Sequence, residues 1–381
     1  MTSAAGPDYV LRGHESAVNC IAFSSSAGEE GALLSGSVDG DVKVWQLSSR
    51  RASTRSAAHS NSVTTVLPDP TSSGKRFITA GRDECIKIWN IETFASTSEP
   101  VTVLHTGAQN FCNVSTCVDG SDICRNAVIT ASADEHRALL WDLRTGGVVH
   151  AIDVDKRRGM ITALHLNSSA AQEQTRAHVL VGLEDGSLAA VDLRAARQVG
   201  AVATSAEQQV EYVPLHDKQP IMAMDVSPDG KTLLTAGADA RIVFTAADSS
   251  AAAGVFDAAP TPCLVHIPEK TITLPSSGTS SVKYRTDGRI VVSAHWDNTV
   301  RIFDAKKAMR PLAVLTHHRQ SIFAVAFSPA GGAFATASKD ATIALWSVYG
   351  PSSKPAPHTS GAGAGTGAGA GAGAGRKKEE Y

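Results

Sequence analysis

Apolar and polar residues alternate in short runs along most of this chain, and the runs come in sets. Near the start, Val18, Cys20, Ala22 and Phe23 mark one strand and Ala32 to Ser37 a second. Val42, Val44 and Leu47 mark a third, alternating with period two. Asp39-Gly40 separates the second and third, a hairpin signal because both positions tolerate positive φ. The plan returns near the end: Ile322, Ala324, Ala326 and Phe327, then Phe334 to Ser338, then Thr342 to Val348.

A six-residue step ties the sets together. It joins Asp39 to Trp45, Asp83 to Trp89, Asp297 to Phe303 and Asp340 to Trp346. Asp134 reaches Trp141 with one extra residue, while Asp185 leads to Val191 and Asp239 to Thr245. Four of the five tryptophans fill that one slot, so the slot is structural. The aspartates stand at 39, 83, 134, 185, 239, 297 and 340, and a blade of four strands takes about 40–45 residues. Seven blades are predicted, with extended loops in the middle of the chain.

A hydroxyl residue lies four positions before the aspartate in six of the seven copies: Ser35, Thr79, Thr130, Thr235, Ser293 and Thr336. Val181 stands there in the other, and His14, His59 and His318 precede the first strand of three copies. Histidine, hydroxyl, aspartate and tryptophan in this order resemble the WD repeat. That resemblance implies a buried relay from aspartate through histidine and hydroxyl to the indole N–H. Such a chain locks a turn, because buried polar groups left without partners cost about 1–3 kcal/mol each. Three copies hold all four residue types: His14, Ser35, Asp39 and Trp45; His59, Thr79, Asp83 and Trp89; and His318, Thr336, Asp340 and Trp346. Copies four, five and six lack the indole and are expected to rely on apolar packing.

The expected fold is all-β, a seven-bladed WD-repeat β-propeller over residues 13–349. The chain after Trp346 stops at Gly350-Pro351, one strand short of a blade, and Tyr9-Val10-Leu11 precedes the first copy with no blade of its own. Residues 1–12 are therefore expected to close the last blade, removing an edge that would otherwise template aggregation. Residues 245–280 read as a long loop with one or two short strands, and 350–381, with a Gly-Ala tract and RKKEEY, as a disordered tail.

Net charge is −2 with both signs interspersed, which argues against direct nucleic-acid binding by a basic stripe. No apolar run has the length of a membrane span, and six scattered cysteines with no CxxC pair suit a reducing compartment. A soluble, intracellular protein without membrane contact is expected.

Candidate chemistry is sparse. Gly230-Lys231-Thr232 reads as a hairpin after Pro-Asp, since the upstream glycine slot of a phosphate loop holds Asp225. His105, Cys112, Cys117 and Cys124 match no zinc spacing, and nothing marks a nucleophile, so no catalytic, cofactor or metal residue is assigned. Trp141-Asp142-Leu143-Arg144 matches the WDxR box by which WD-repeat substrate receptors dock onto a cullin-RING ligase adaptor, and Val191-Asp192-Leu193-Arg194 echoes it. The turns that carry the aspartates open on one face, where Val38, Arg82, Ala133, Glu184, Ala238, Trp296 and Lys339 are expected at a rim. Arg82, Glu184, His295, Trp296 and Lys339 are the candidate partner-binding residues, because exposed tryptophan and arginine are common hot spots.

Longer stretches narrow the resemblance. HWD at 295–297 running into Arg301-Ile302-Phe303, RPLAVL at 310–315 and the ending Leu345-Trp346-Ser347-Val348-Tyr349 resemble the animal guanine nucleotide-binding protein β-subunit-like protein 1 family. Its fungal counterpart is ASTRA-associated protein 1. The resemblance implies a non-enzymatic adaptor, one copy in a larger complex, working with the TTT co-chaperone and phosphatidylinositol-3-kinase-related kinases. A true G-protein β subunit needs an N-terminal coiled coil, and the residues before the first copy hold no heptad. A ubiquitin-ligase receptor and a propeller enzyme remain as alternative readings.

Overall fold

The computed structural model describes residues 6–24, 31–55, 57–97, 99–109, 111–117, 126–169, 176–193, 210–248, 265–307 and 309–348. Within them lie seven antiparallel four-stranded sheets. After β1 (Tyr9–Arg12), blade one holds β2 (Val18–Ser24), β3 (Ala32–Ser37), β4 (Val42–Gln46) and β5 (Arg51–Arg55). Blade two holds β6 (Val63–Pro68), β7 (Arg76–Gly81), β8 (Cys85–Asn90) and β9 (Thr102–His105). Blade three holds β10 (Ser115–Thr116), β11 (Ala127–Ala131), β12 (Arg137–Asp142) and β13 (Gly147–Asp153). Blade four holds β14 (Ile161–Ser169), β15 (Arg176–Leu183), β16 (Ser187–Asp192) and β17 (Glu211–Pro214). Blade five holds β18 (Ile221–Val226), β19 (Thr232–Gly237), β20 (Arg241–Asp248) and β21 (Val265–Thr273). Blade six holds β22 (Thr279–Tyr284), β23 (Ile290–His295), β24 (Val300–Asp304) and β25 (Arg310–Leu315). The last blade has β26 (Ile322–Phe327), β27 (Ala333–Ser338) and β28 (Thr342–Ser347), and β1 completes it by pairing Leu11 with Ile343 and Tyr9 with Leu345. The innermost strands meet as a ring, β2 touching both β6 and β26. This is a seven-bladed β-propeller closed by its N-terminal strand.

Period-two alternation explains how the blades stack. Successive side chains on a strand point to opposite sheet faces, and here each face meets a neighbouring blade. Leu33 packs toward blade seven with Leu11, Trp45, Ala335 and Ile343, while Leu34 packs toward blade two with Val63, Val66, Phe77 and Trp89. Both leucines are fully buried, so truncating either to alanine costs about 2–5 kcal/mol. Outer strands are wetter: Arg310 through Val314 of β25 are all exposed.

Residues 245–248 and 265–273 are strand, not part of the long loop expected over 245–280. β20 continues through Thr245 to Asp248 and pairs along its length with β21, from Arg241↔Thr273 to Asp248↔Val265. The one or two short strands expected there are thus a single outer strand, β21. Pro268, which obscured it, sits opposite Thr245 at a register shift between Phe244 and Thr245. An edge strand tolerates a residue without an N–H at such a place. The middle of that segment and the expected disordered tail lie outside the described residues.

Candidate functional site

The repeated aspartates are turn residues first. Asp39, Asp134, Asp185, Asp239, Asp297 and Asp340 each accept from the N–H two positions on, at 3.3, 3.0, 2.9, 3.2, 3.1 and 3.0 Å. This side-chain-to-backbone closure is why the position favours a short carboxylate.

Blades two and seven build the complete relay. His59 Nδ1 lies 2.8 Å from Asp83 and its Nε2 2.7 Å from Thr79, whose hydroxyl accepts the Trp89 indole N–H at 2.8 Å. His318 lies 3.0 Å from Asp340 and 2.8 Å from Thr336, and Trp346 donates to Thr336 at 3.0 Å. Burial pushes the Asp83 carboxyl up, but His59, the Ser60 N–H and Lys87 outweigh it and hold it at about 2. Asp340 is likewise held far below the usual carboxylate range, burial being outweighed by His318, Thr342 and the Arg319 N–H.

Blade one departs from the expectation of a whole relay. His14 lies 2.7 Å from Ser35, which accepts from Trp45 at 2.8 Å, but Asp39 turns to the Ser37 hydroxyl instead. His14 Nδ1 is left buried without a hydrogen-bond partner among the described residues. The nearby Lys43 adds to the effect of burial, which pushes the His14 imidazole down to about 4.

Blade five supplies a histidine that the repeat pattern missed. His216 stands 2.9 Å from Asp239 and 3.0 Å from Thr235, the same set without an indole. One extra residue before β18 hides its spacing, yet Gly237 marks the place, because a Cβ there would lie 2.9 Å from His216 Nδ1. Gly81 does the same for His59, at 2.5 Å. In blade three, Trp141 reaches Thr130 at 3.2 Å despite the extra residue in the intervening turn.

His295 is not a rim residue. It is fully buried, with Nε2 2.7 Å from Ser293 and Nδ1 3.1 Å from Thr279. Standing two positions after Ser293, it shares that residue's sheet face, so its ring fills from within the strand the slot that a loop histidine fills elsewhere. Burial, with help from the Arg301 charge, pushes it down to about 3.

The other rim candidates lie at the expected ends of the blades. Arg82 donates to the Gln109 carbonyl at 3.0 Å and covers the exposed Phe111 ring at 4.1 Å from its centroid. Glu184 accepts from the Met160 N–H at 3.1 Å, and Lys339 is exposed. Trp296 is 41% exposed. The WDxR box lies at the far end of β12 from Asp134. There Trp141 belongs to the blade, and Asp142 accepts from the Arg144 N–H at 2.9 Å, with the Arg144 guanidinium 3.5 Å away. The box thus closes its own turn. Arg194, which ends its echo, lies outside the described residues. His105 faces Cys85, its Nδ1 3.4 Å from the Cys85 sulfur.

Aspartate-closed turns and buried histidine–hydroxyl–indole relays on a seven-blade ring define a WD-type propeller. The family model WD40, described as "WD domain, G-beta repeat", matches residues 6–46, 52–90, 208–244, 268–304 and 309–347, about half of the chain. Blade three and all but the outer strand of blade four fall between those matches and are present in the fold. The mouse protein named guanine nucleotide-binding protein subunit beta-like protein 1 is 30% identical over 352 residues, covering 90% of this chain and 96% of that protein. ASTRA-associated protein 1 of Verticillium alfalfae is 27% identical over 85% of this chain and 79% of its own length. The Schizosaccharomyces pombe protein of that name is 25% identical over 90% and 99%. The chain therefore belongs to the WD-repeat family, in the branch that holds guanine nucleotide-binding protein subunit beta-like protein 1 and ASTRA-associated protein 1.

Proposed function

We propose that this chain is a non-enzymatic scaffold that works with the TTT co-chaperone complex in the maturation and stability of phosphatidylinositol-3-kinase-related kinases, as one copy in a larger assembly of nucleus and cytoplasm. The observation that carries the reading is the chain-long similarity to proteins named for association with ASTRA. The use of the polar groups supports it. His59, His216 and His318 each place both ring nitrogens in contacts with aspartate and hydroxyl, so the groups that would suggest hydrolysis hold turns in place. The blade ends are left as the working surface.

Affinity purification of the tagged full chain from native extract tests this. Recovery of TTT subunits together with large kinases is the expected result. Recovery instead of a cullin adaptor, lost on Arg144→Ala, would overturn it.

A further inference from the structure

Two of the rim candidates are committed to their own loops, Arg82 to Gln109 and Phe111 and Glu184 to Met160. The sector formed by blades six and seven differs. The Trp296 N–H donates to the Gly278 carbonyl at 3.0 Å, and its carbonyl accepts from the Ser321 hydroxyl at 2.9 Å. Its indole lies over Gly278, where an added Cβ would fall 2.0 Å from Cε3. The residue is 41% exposed on a fixed frame. Ser321 also accepts, through its own carbonyl, from the Lys339 N–H at 2.9 Å, so one residue sets Trp296 on one side and Lys339 on the other. The Arg319 N–H donates to Asp340 at 3.0 Å, and its carbonyl accepts from the Asn298 amide at 3.4 Å.

The backbones are pinned while the charged ends are free. Arg319 and Lys339 are exposed, and neither forms an ion pair among the described residues. Arg12 adds to the same field: burial and His318 lower the pKa of His317, and the charges of Arg12 and Arg319 lower it further. The nearby carboxylates are taken, Asp297 by Arg301 at 2.7 Å and Asp340 by His318. Glu15, exposed after His14, carries one opposite charge.

We propose that Trp296, Arg319 and Lys339 form a docking surface for an acidic, extended segment of a protein partner, an apolar side chain lying on the indole and carboxylates meeting the cations. The proposal rests on the scaffold reading and gives its partner a chemistry. A rigid exposed tryptophan flanked by unpaired cations has the make-up of an interface hot spot, since little ordering entropy remains to be lost on binding. A nucleic-acid backbone calls for a longer row of cations than this sector carries on a chain of net charge −2.

Fluorescence anisotropy with the full chain tests the chemistry, using a labelled peptide of alternating glutamate and leucine, its lysine–leucine counterpart and a labelled oligothymidylate. The glutamate peptide is expected to bind at least about tenfold tighter than either, and more weakly as salt rises. Trp296→Ala and Lys339→Glu should each weaken it by about tenfold with unchanged melting temperature, and Trp296→Phe should keep most of the binding. Equal binding of both peptides, tighter binding of the oligothymidylate, or variants without effect would overturn the proposal. Native purification with wild type and Trp296→Ala separates the two readings. TTT subunits recovered equally by both overturn the docking surface and leave the scaffold standing. Subunits recovered by neither overturn the scaffold and with it the partner given to this surface, while anisotropy still reports the surface's own chemistry.

Discussion

His59 stands 2.8 Å from Asp83, whereas His14, its counterpart one blade earlier, makes no hydrogen bond to Asp39. The first pair belongs to a closed set with Thr79 and Trp89; the second is open. Thr79→Val strands a buried imidazole nitrogen and a buried indole N–H together, so it should destabilise by about 2–3 kcal/mol. Asp39→Ala removes turn contacts and the bond from the buried Ser37 hydroxyl, which still reaches the Asp41 carbonyl at 3.1 Å, so it should cost within about 1 kcal/mol. Denaturant midpoints of the two variants check the contrast, and equal losses would refute it.

Acid should attack the closed sets late. The Asp83 carboxylate is held at about 2 in the fold and returns to about 4 when the chain unfolds. A carboxylate depressed in this way stabilises fully above the unfolded value, and that contribution is lost as pH falls through about 4 toward about 2. Asp83→Asn should therefore lower the melting temperature at neutral pH and flatten its fall below pH of about 4. A parallel fall in variant and wild type would refute this.

Buried histidines set an earlier window. His14 at about 4 and His295 at about 3 are neutral in the fold, while an unfolded imidazole takes up its proton near 6.5. Below that value the unfolded chain binds more protons, so stability declines from about pH 6.5 downward until the folded values are reached. His295→Gln should lower the melting temperature at pH near 7.5 and make it less sensitive to pH between about 6 and 4. An unchanged slope would count against a neutral His295.

Gly40 links one blade to the next. It has φ of +89°, its carbonyl accepts from the His59 N–H at 3.1 Å, and a Cβ on it would lie 2.1 Å from the His59 carbonyl oxygen. Backbone cannot step aside cheaply, so Gly40→Ala should cost about 3 kcal/mol and disturb blade two as well as blade one. Hydrogen exchange of the Trp89 indole in the variant tests the second half: unchanged protection there would show the blades uncoupled.

Leu11 is 2% exposed among Val18, Trp45 and Ile343, and it is the one buried residue of β1. Leu11→Ala should cost about 2–5 kcal/mol, and deletion of Tyr9–Arg12 should leave a chain that melts earlier and aggregates. Identical melting curves for the deletion and the full chain would show that closure does not depend on this strand.

Blade count, closure and two of the relays were legible because an aspartate-closed turn and a period-two strand leave fixed intervals in the sequence. His216 escaped because one inserted residue shifts it, although Gly237 records the room its ring needs. His295 reads as a rim residue because its neighbours Trp296 and Asp297 do lie in the turn. Strand alternation from Ser293 points it inward. β21 was hidden by Pro268, which reads as a breaker until the strand is known to lie at an edge. Asp39 shows a different limit: its residue type fits the relay, but the hydroxyl of Ser37 beside it offers a nearer donor than the imidazole of His14.

The pairing of Tyr9–Arg12 with Thr342–Leu345 gives the molecule a built-in check on its own synthesis. An apolar stretch made before all seven blades finds its mate only after β28, the last strand of the ring, has been translated. A prematurely terminated product keeps Leu11 and the flank of blade one bare, offering quality-control factors a greasy handle that the finished ring conceals.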